Sequence, residues 1–273
     1  MLIREALAQA AAAGVARLDA QWLLCHLLGQ PRAWLLAHDD EALPASAARD
    51  WPALLARRAS GEPLAYVLGE HRFCDLVLQV SPAVLVPRPE TELLVQWALQ
   101  CLQTAPAPTV IDLGTGSGAV ALAILHAHPA AQVLATDISA DALAVAQLNA
   151  ERHGLALRFA QGAWWSAAGA ARFGLAVSNP PYIAAGDAHL LALRHEPQLA
   201  LTPGGDGLGA LRQLIDDAPE HLLPGAWLLL EHGHDQDAPI RALLLQRGFG
   251  PPQTRPDLAG LARCTGAPWP GAN

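Results

Sequence analysis

An α/β protein is what the sequence predicts, with a mostly parallel sheet, helices on both faces and a small helical bundle ahead of it. Three observations carry the prediction. From Thr109 onward, short apolar runs alternate with helix-length segments, the pattern of consecutive βα units. A glycine-rich turn, "GTGSG", closes the first of those runs. The residues up to about Arg72 carry only helical spacing and helix-end signals. With 273 residues, 52% hydrophobic and 15% charged, the chain can bury a sizeable core. The expected division is an N-terminal helical domain over 1–72, a hairpin or linker over 73–92 and a larger α/β domain over 93–273.

The elements follow in order. The stretch before Gln21 is Ala-rich and reads as a helix; Arg4 and Glu5 come too early for a signal peptide. "LDAQWLLCHLLG" is a helix with Asp19 as the expected N-cap and Gly29 as its stop. Pro31 is expected at the first helical position of "PRAWLLAH". A helix over Ser46–Ala59 carries Pro52 in its path, and a short one lies between Gly61 and Gly69. "LVLQV" and "AVLV" are expected as strands separated by Ser81-Pro82. Pro87 and Pro89 hold "PRPETE" extended, Leu93–Leu102 is helical and "TAPAPT" is a loop.

Beyond it, "TVIDLG", "QVLATD", "LRFAQ" and "LAVS" are strands, with helices over Gly118–His128 and Ala140–His153. A helix over Leu208–Leu223, the strand "AWLLLE" and a helix over Pro239–Arg247 complete the pattern.

Composition excludes several chemistries. All 17 basic residues are arginines, so no P-loop lysine, Schiff-base lysine or lysine base exists. The net charge of −8 opposes a role in gripping long nucleic acid. No apolar run approaches the roughly 18 residues of a membrane span. The four cysteines form no CxxC pair, as expected of reduced thiols in a cytoplasmic protein. His232 and His234 stand near Asp235 and Asp237, but a solvated loop explains them without a metal.

Two motifs carry the chemistry. In "DLGTGSGA", Gly114, Gly116 and Gly118 permit a tight turn and close backbone approach to a ligand. The third glycine comes one residue earlier than in a dinucleotide fingerprint, with Ala119 in the sixth place. Asp137 ends the next strand, where an acid can accept from ribose hydroxyls. The plainer reading is an ordinary strand-to-helix turn with Asp137 capping the helix.

"VSNPPYI" is the second. Two prolines cannot extend a central strand or continue a helix, so Asn179-Pro180-Pro181-Tyr182 forms a rigid extended turn at the C-terminal end of a buried strand. That turn offers acceptors, the Asn179 side-chain oxygen and a proline-segment carbonyl, with Tyr182 as a flat face. A planar conjugated –NH₂ is the ligand group that suits it. Such a nitrogen needs alignment with an electrophile rather than prior deprotonation.

In this order, "DLGTGSG", "ATDIS" and "SNPPYI" resemble the class I S-adenosylmethionine methyltransferases, which have a Rossmann-like sheet. "GEPLAYVLGE", "VLVPRPETELLV", "HEPQLAL" and "LLLEHGHDQ" narrow the resemblance to the HemK-type protein-glutamine methyltransferases, over nearly the full chain. The resemblance implies methyl transfer from S-adenosylmethionine to the glutamine amide of the Gly-Gly-Gln motif in class 1 peptide chain release factors. It also implies roles. Gly114, Thr115, Gly116, Ser117 and Gly118 would cradle the methionine part of the cofactor, Asp137 would bind the ribose, and Trp164 would lie near the adenine. Asn179, also counted with the cofactor site, and the Pro180 carbonyl would hold the glutamine amide, with Pro181 and Tyr182 against it. Arg88 and Glu90 would lie close by. Ala163 stands where the family usually has an acid. The helical N-terminal domain would recognise the protein substrate.

Three rivals remain on the sequence alone. Adenine's exocyclic amine is also a planar –NH₂, so a nucleic-acid adenine methyltransferase fits the NPPY turn, though not the charge. A ribosomal-protein glutamine is another acceptor. A cofactor-binding module without catalysis would leave the NPPY turn without a purpose.

Overall fold

The computed structural model describes residues 1–103, 105 and 107–271, so Thr104 and Pro106 of the expected "TAPAPT" loop, and Ala272 and Asn273, lie outside the described residues. The chain divides into two compact units, Met1–Glu70 and His71–Asn273.

The first unit contains five helices: α1 (Ile3–Ala12), α2 (Arg17–Leu28), α3 (Arg32–Ala37), α4 (Ala45–Ala59) and α5 (Leu64–Leu68). Its core gathers Ile3, Leu23, Leu24, Leu35 and Trp51. Trp51 is sealed there, its indole N–H donating to Gln9 Oε1 (3.2 Å). Two local expectations are corrected. Asp19 is not the cap of α2: Ala16 holds that position, and Asp19 stands in the first turn, paired with Arg58 (2.7 Å). Pro31 precedes α3 as its N-cap, with extended backbone, rather than opening the helix. Gly29 does end α2 in the left-handed conformation (φ 62°), and α4 runs through Pro52.

A two-stranded sheet, β1 (Glu70–Phe73) and β2 (Leu76–Gln79), turns at Cys74 and Asp75. "AVLV" is not a strand. Residues 81–84 turn and 85–88 form no regular element, since Pro82, Pro87 and Pro89 withhold ladder donors. A 3₁₀ turn at Pro89–Thr91 leads into α6 (Glu92–Leu102).

The remaining elements are β3 (Thr109–Leu113), α7 (Ala119–Ala127), β4 (Gln132–Asp137), α8 (Ala140–His153), β5 (Arg158–Gln161), β6 (Phe173–Ser178), α9 (His189–Ala192), α10 (Gly209–His221), β7 (Leu222–Glu231), α11 (Asp237–Gln246), β8 (Gln253–Pro256) and β9 (Ala262–Pro268). The seven-stranded sheet has the order β5-β4-β3-β6-β7-β9-β8. Strands β3 to β7 are parallel, and β9 runs antiparallel to β7 and β8. The expected class, a mostly parallel Rossmann-like sheet after a helical N-terminal unit, is what the chain adopts.

Alternation along the strands divides the core into two layers. Val110, Leu175, Val177 and Leu229 face the layer containing Leu94, Trp97 and the apolar residues of α7. Ile111, Leu113, Ala176, Leu228 and Leu230 face the layer of α10 and α11, with Leu211, Leu214, Ile240 and Leu244. The strand order reverses between β3 and β6, so a crevice opens at their C-terminal ends.

Candidate active site

A cavity of about 390 Å³ occupies that crevice. The glycine turn forms one wall. Gly114, Gly116 and Gly118 all have positive φ (77°, 56° and 82°), a conformation that glycine adopts without a Cβ penalty. At Gly114 a Cβ would stand 3.1 Å from the Trp164 ring, so glycine keeps the turn against the indole. Trp164 itself has φ 48°. A non-glycine residue held there is a local strain of the kind that concentrates at functional sites.

Thr136, Asp112 and Asp137 fasten the turn. Gly114 N and Thr115 N donate to Thr136 O (2.9 and 2.8 Å), and Thr115 Oγ1 donates to Asp112 Oδ2 (2.6 Å). Gly116 N donates to Asp137 Oδ2 and Ser139 N to Asp137 Oδ1, both at 2.9 Å. Ser139, not Asp137, caps α8: its side chain accepts from Ala142 N. Each Asp137 oxygen keeps acceptor capacity beyond its one backbone N–H, and the residue lines the cavity. Burial pushes the Asp112 carboxyl up to about 7, against the hydrogen bonds from Thr115 and Ala121 and with the Asp137 charge adding to the rise.

Asn179 forms part of another wall. Its Nδ2 donates to Thr91 Oγ1 (3.1 Å), and both residues line the cavity. Gly114, Thr115, Gly116, Ser117, Asp137, Trp164, Asn179 and Pro181 line it among the residues expected from sequence. Gly118, Pro180, Tyr182, Arg88 and Glu90 stand outside the lining. Pro180 is buried, and the Tyr182 carbonyl accepts from Gln236 Nε2 (3.0 Å). Burial, then the Glu231 charge, push the Tyr182 phenol well above its ordinary value. Arg88 is paired with Glu196 (2.5 Å), whose other oxygen accepts from Val86 N (3.1 Å). That ion pair ties two cavity walls together, the 83–91 stretch and the 197–203 stretch.

Sequence reasoning missed several supports. Asn149, buried on α8, accepts from Gln79 N (2.6 Å) and donates to Ser117 O (2.9 Å), joining β2 to the glycine turn. An Asn amid the Ala and Leu of that helix was its one signal. Thr91 and Glu196 lie within "VLVPRPETELLV" and "HEPQLAL", but nothing in those stretches singles them out. His232 is corrected: it is fully buried rather than solvated, with Nε2 on Thr265 Oγ1 (2.7 Å) and Nδ1 on Gly233 O (2.8 Å). Among the described residues no group of three His, Cys, Asp or Glu gathers to hold a metal, and no helix is long and apolar enough to cross a membrane.

Comparison with known proteins gives the same outline. Residues 2–69 match the family model described as the PrmC N-terminal domain, and residues 90–208 match the methyltransferase small domain. The release factor glutamine methyltransferase of Bordetella pertussis is 50% identical over 256 residues, 93% of this chain and 95% of that protein. That of Xylella fastidiosa (strain Temecula1) is 51% identical over 269 residues, 97% of this chain and 98% of its own. A methyltransferase from Pyrococcus furiosus, 18% identical, superposes with a TM-score of 0.54 over 82% of this chain and 100% of its own; that likeness bears on the fold.

Proposed function

This chain belongs to the release factor glutamine methyltransferases, and from that premise we propose that it methylates the side-chain amide nitrogen of the glutamine in the Gly-Gly-Gln motif of class 1 peptide chain release factors, with S-adenosylmethionine as donor. One observation carries the reading: Asn179 opens into the same cavity as the glycine turn, Asp137 and Trp164. A substrate drawn from the translation machinery puts the reaction in the cytoplasm.

The residues present fit the cofactor. Gly114 keeps free a space that a Cβ would close, Asp137 offers acceptors suited to ribose hydroxyls, and Trp164 offers a ring suited to adenine. Thr115 and Ser117 line the cavity with the glycine turn, where the methionine part of the cofactor would lie. When bound, the cofactor supplies an electrophilic methyl group on a sulfonium.

The chain's own task is then positioning. Asn179 Oδ1 and the Pro180 carbonyl accept the two N–H bonds of the glutamine amide and orient its nitrogen. Positioning of this kind contributes on the order of 7–11 kcal/mol. As the nitrogen loses conjugation its N–H groups become more acidic, and both acceptors bind them more strongly than in the ground state. The proton leaves afterwards to water. Pro180 and Pro181 make this rigid. Arg88 takes the role of a strut through Glu196, and Thr91 supports Asn179 from behind.

Asp137→Ala should weaken S-adenosylmethionine binding by about 1.5–3 kcal/mol, the worth of hydrogen bonds to a charged acceptor. Calorimetry measures this, and unchanged affinity would remove Asp137 from the cofactor site.

The N-terminal unit holds a core of its own but none of the cavity residues. Its proposed role is to contact the protein substrate. Deleting residues 1–70 should leave cofactor affinity in place while slowing methylation of an intact release factor. A folded truncation that works at full rate rules this role out.

A further inference from the structure

The NPPY turn rests on a buried carboxyl group that the reaction described above does not use. Glu231 ends β7 and is 1% exposed. Its position follows from register. Strands β6 and β7 are parallel, and Ser178 pairs with Leu230, so Asn179 and Glu231 come next, side by side. Thr91 and Asn179 both lie close enough to the Glu231 carboxyl to favour its charged form. Thr91 Oγ1 also accepts from Asn179 Nδ2 (3.1 Å). The three side chains therefore cluster at the back of the cavity. Glu231 Oε2 has no hydrogen-bond partner among the described residues.

An asparagine amide has two nearly isosteric orientations, and only one presents Oδ1 to a substrate N–H. A hydroxyl such as Thr91 cannot choose between them, because it both donates and accepts. An ionised carboxylate can choose, because it only accepts. It obliges Thr91 to donate to it and Asn179 to turn its NH₂ toward it, which leaves Oδ1 for the substrate side. We propose that Glu231 is a positioning residue that holds the Asn179 amide in the orientation needed to receive the glutamine N–H. The inference rests on the proposed function and adds to it a residue outside the cavity lining.

The placement is poor for stability, which supports a functional reason for it. A carboxyl with an unpartnered buried oxygen is a liability that a neutral residue of the same shape would relieve. Burial pushes Glu231 up to about 7, so the carboxylate that fixes the Asn179 amide is fully formed only above neutral pH. Thr91, the Arg263 charge and Asn179 act the other way, while the Glu90 charge adds to the rise. Cys264, across the ladder on β9, and Tyr182 are further titratable groups beside it, and the buried His232 follows it in the chain.

Glu231→Gln separates orientation from structure. The amide keeps the shape but brings its own donor, so it stabilises the wrong Asn179 orientation as readily as the right one. We expect kcat for a Gly-Gly-Gln substrate to fall about tenfold or more, with cofactor affinity unchanged and thermal stability unchanged or raised. In an Asn179→Ala background the same change should have no further effect on kcat, because the group it orients is gone. Thr91→Val, which removes the hydroxyl from the cluster, should show the same dependence on Asn179 and serves if Glu231→Gln folds poorly. A wild-type rate from Glu231→Gln overturns the inference, as does an equal loss with and without Asn179. If wild type itself transfers no methyl to a release factor, the proposed function fails instead, and the two failures are told apart by that first measurement.

Discussion

Asn179→Ala should lower the single-turnover rate of Gly-Gly-Gln methylation by about 2.7–4 kcal/mol of activation free energy, the loss typical of one preorganised electrostatic partner. The expectation follows from what Asn179 alone supplies. It is the side chain at the end of β6 that lines the cavity and carries a directional acceptor, and the cluster with Thr91 and Glu231 holds it. Tyr182 is a different kind of residue. Its ring packs against the α10–α11 layer, and its phenol lies outside the cavity lining, protonated at any working pH. Tyr182→Phe should therefore cost little. Tyr182→Ala should cost about 1–3 kcal/mol through loss of the flat support, the scale seen for aromatic stacking. Cofactor affinity should stay near wild type in both Tyr182 variants. Rapid-quench assays on the three variants decide the matter. If Tyr182→Phe is as damaging as Asn179→Ala, the hydroxyl takes part in the chemistry and Tyr182 is more than a support.

Gly207→Ala should destabilise the protein by about 2–4 kcal/mol, combining a left-handed backbone with overpacking. Gly207 has φ +81°, and an added Cβ would overlap the Tyr182 carbonyl oxygen. It would also stand 3.0 Å from Gln236 Nε2 and 3.1 Å from Ala184 N. The carbonyl cannot simply retreat, because Gln236 Nε2 holds it, and Gln236 Oε1 is itself held by Gly233 N (2.9 Å). Movement would pass directly to the NPPY turn, so activity should fall further than stability explains. Gly186→Ala is the control: its φ is +84°, but nothing lies within 4 Å of its Cβ. Urea denaturation of both variants compares the two costs. Equal, small losses would mean that the Tyr182 carbonyl is not fixed where its hydrogen bonds hold it.

Much of this arrangement was legible in the sequence, because the signals are local. A glycine turn between strand and helix, an acid at the end of the next strand and two prolines after a buried strand each announce themselves within a few residues. What escaped notice was set by partners far along the chain. Arg88 reads from the resemblance only as a residue close to the site, and its partner Glu196 is 108 positions away. Glu231 reads as an ordinary strand end, and only the β6–β7 register brings it beside Asn179. "AVLV" has strand propensity, but the prolines around it leave no ladder, and it becomes a cavity wall instead. The "EHGH" stretch misled in the same way, since its polar letters conceal a His232 buried by the antiparallel strand β9. Strands β8 and β9 themselves were hidden by short runs rich in Arg, Pro and Gly.

The most direct test of the central claim is fragmentation mass spectrometry of a reaction containing the purified chain, S-adenosylmethionine, an intact class 1 release factor and duplex DNA. The account predicts one added methyl group, on the side-chain nitrogen of the glutamine in Gly-Gly-Gln, with the DNA unmodified. Methylated adenine, or a release factor that stays unmodified while the chain is folded and cofactor-bound, would contradict it.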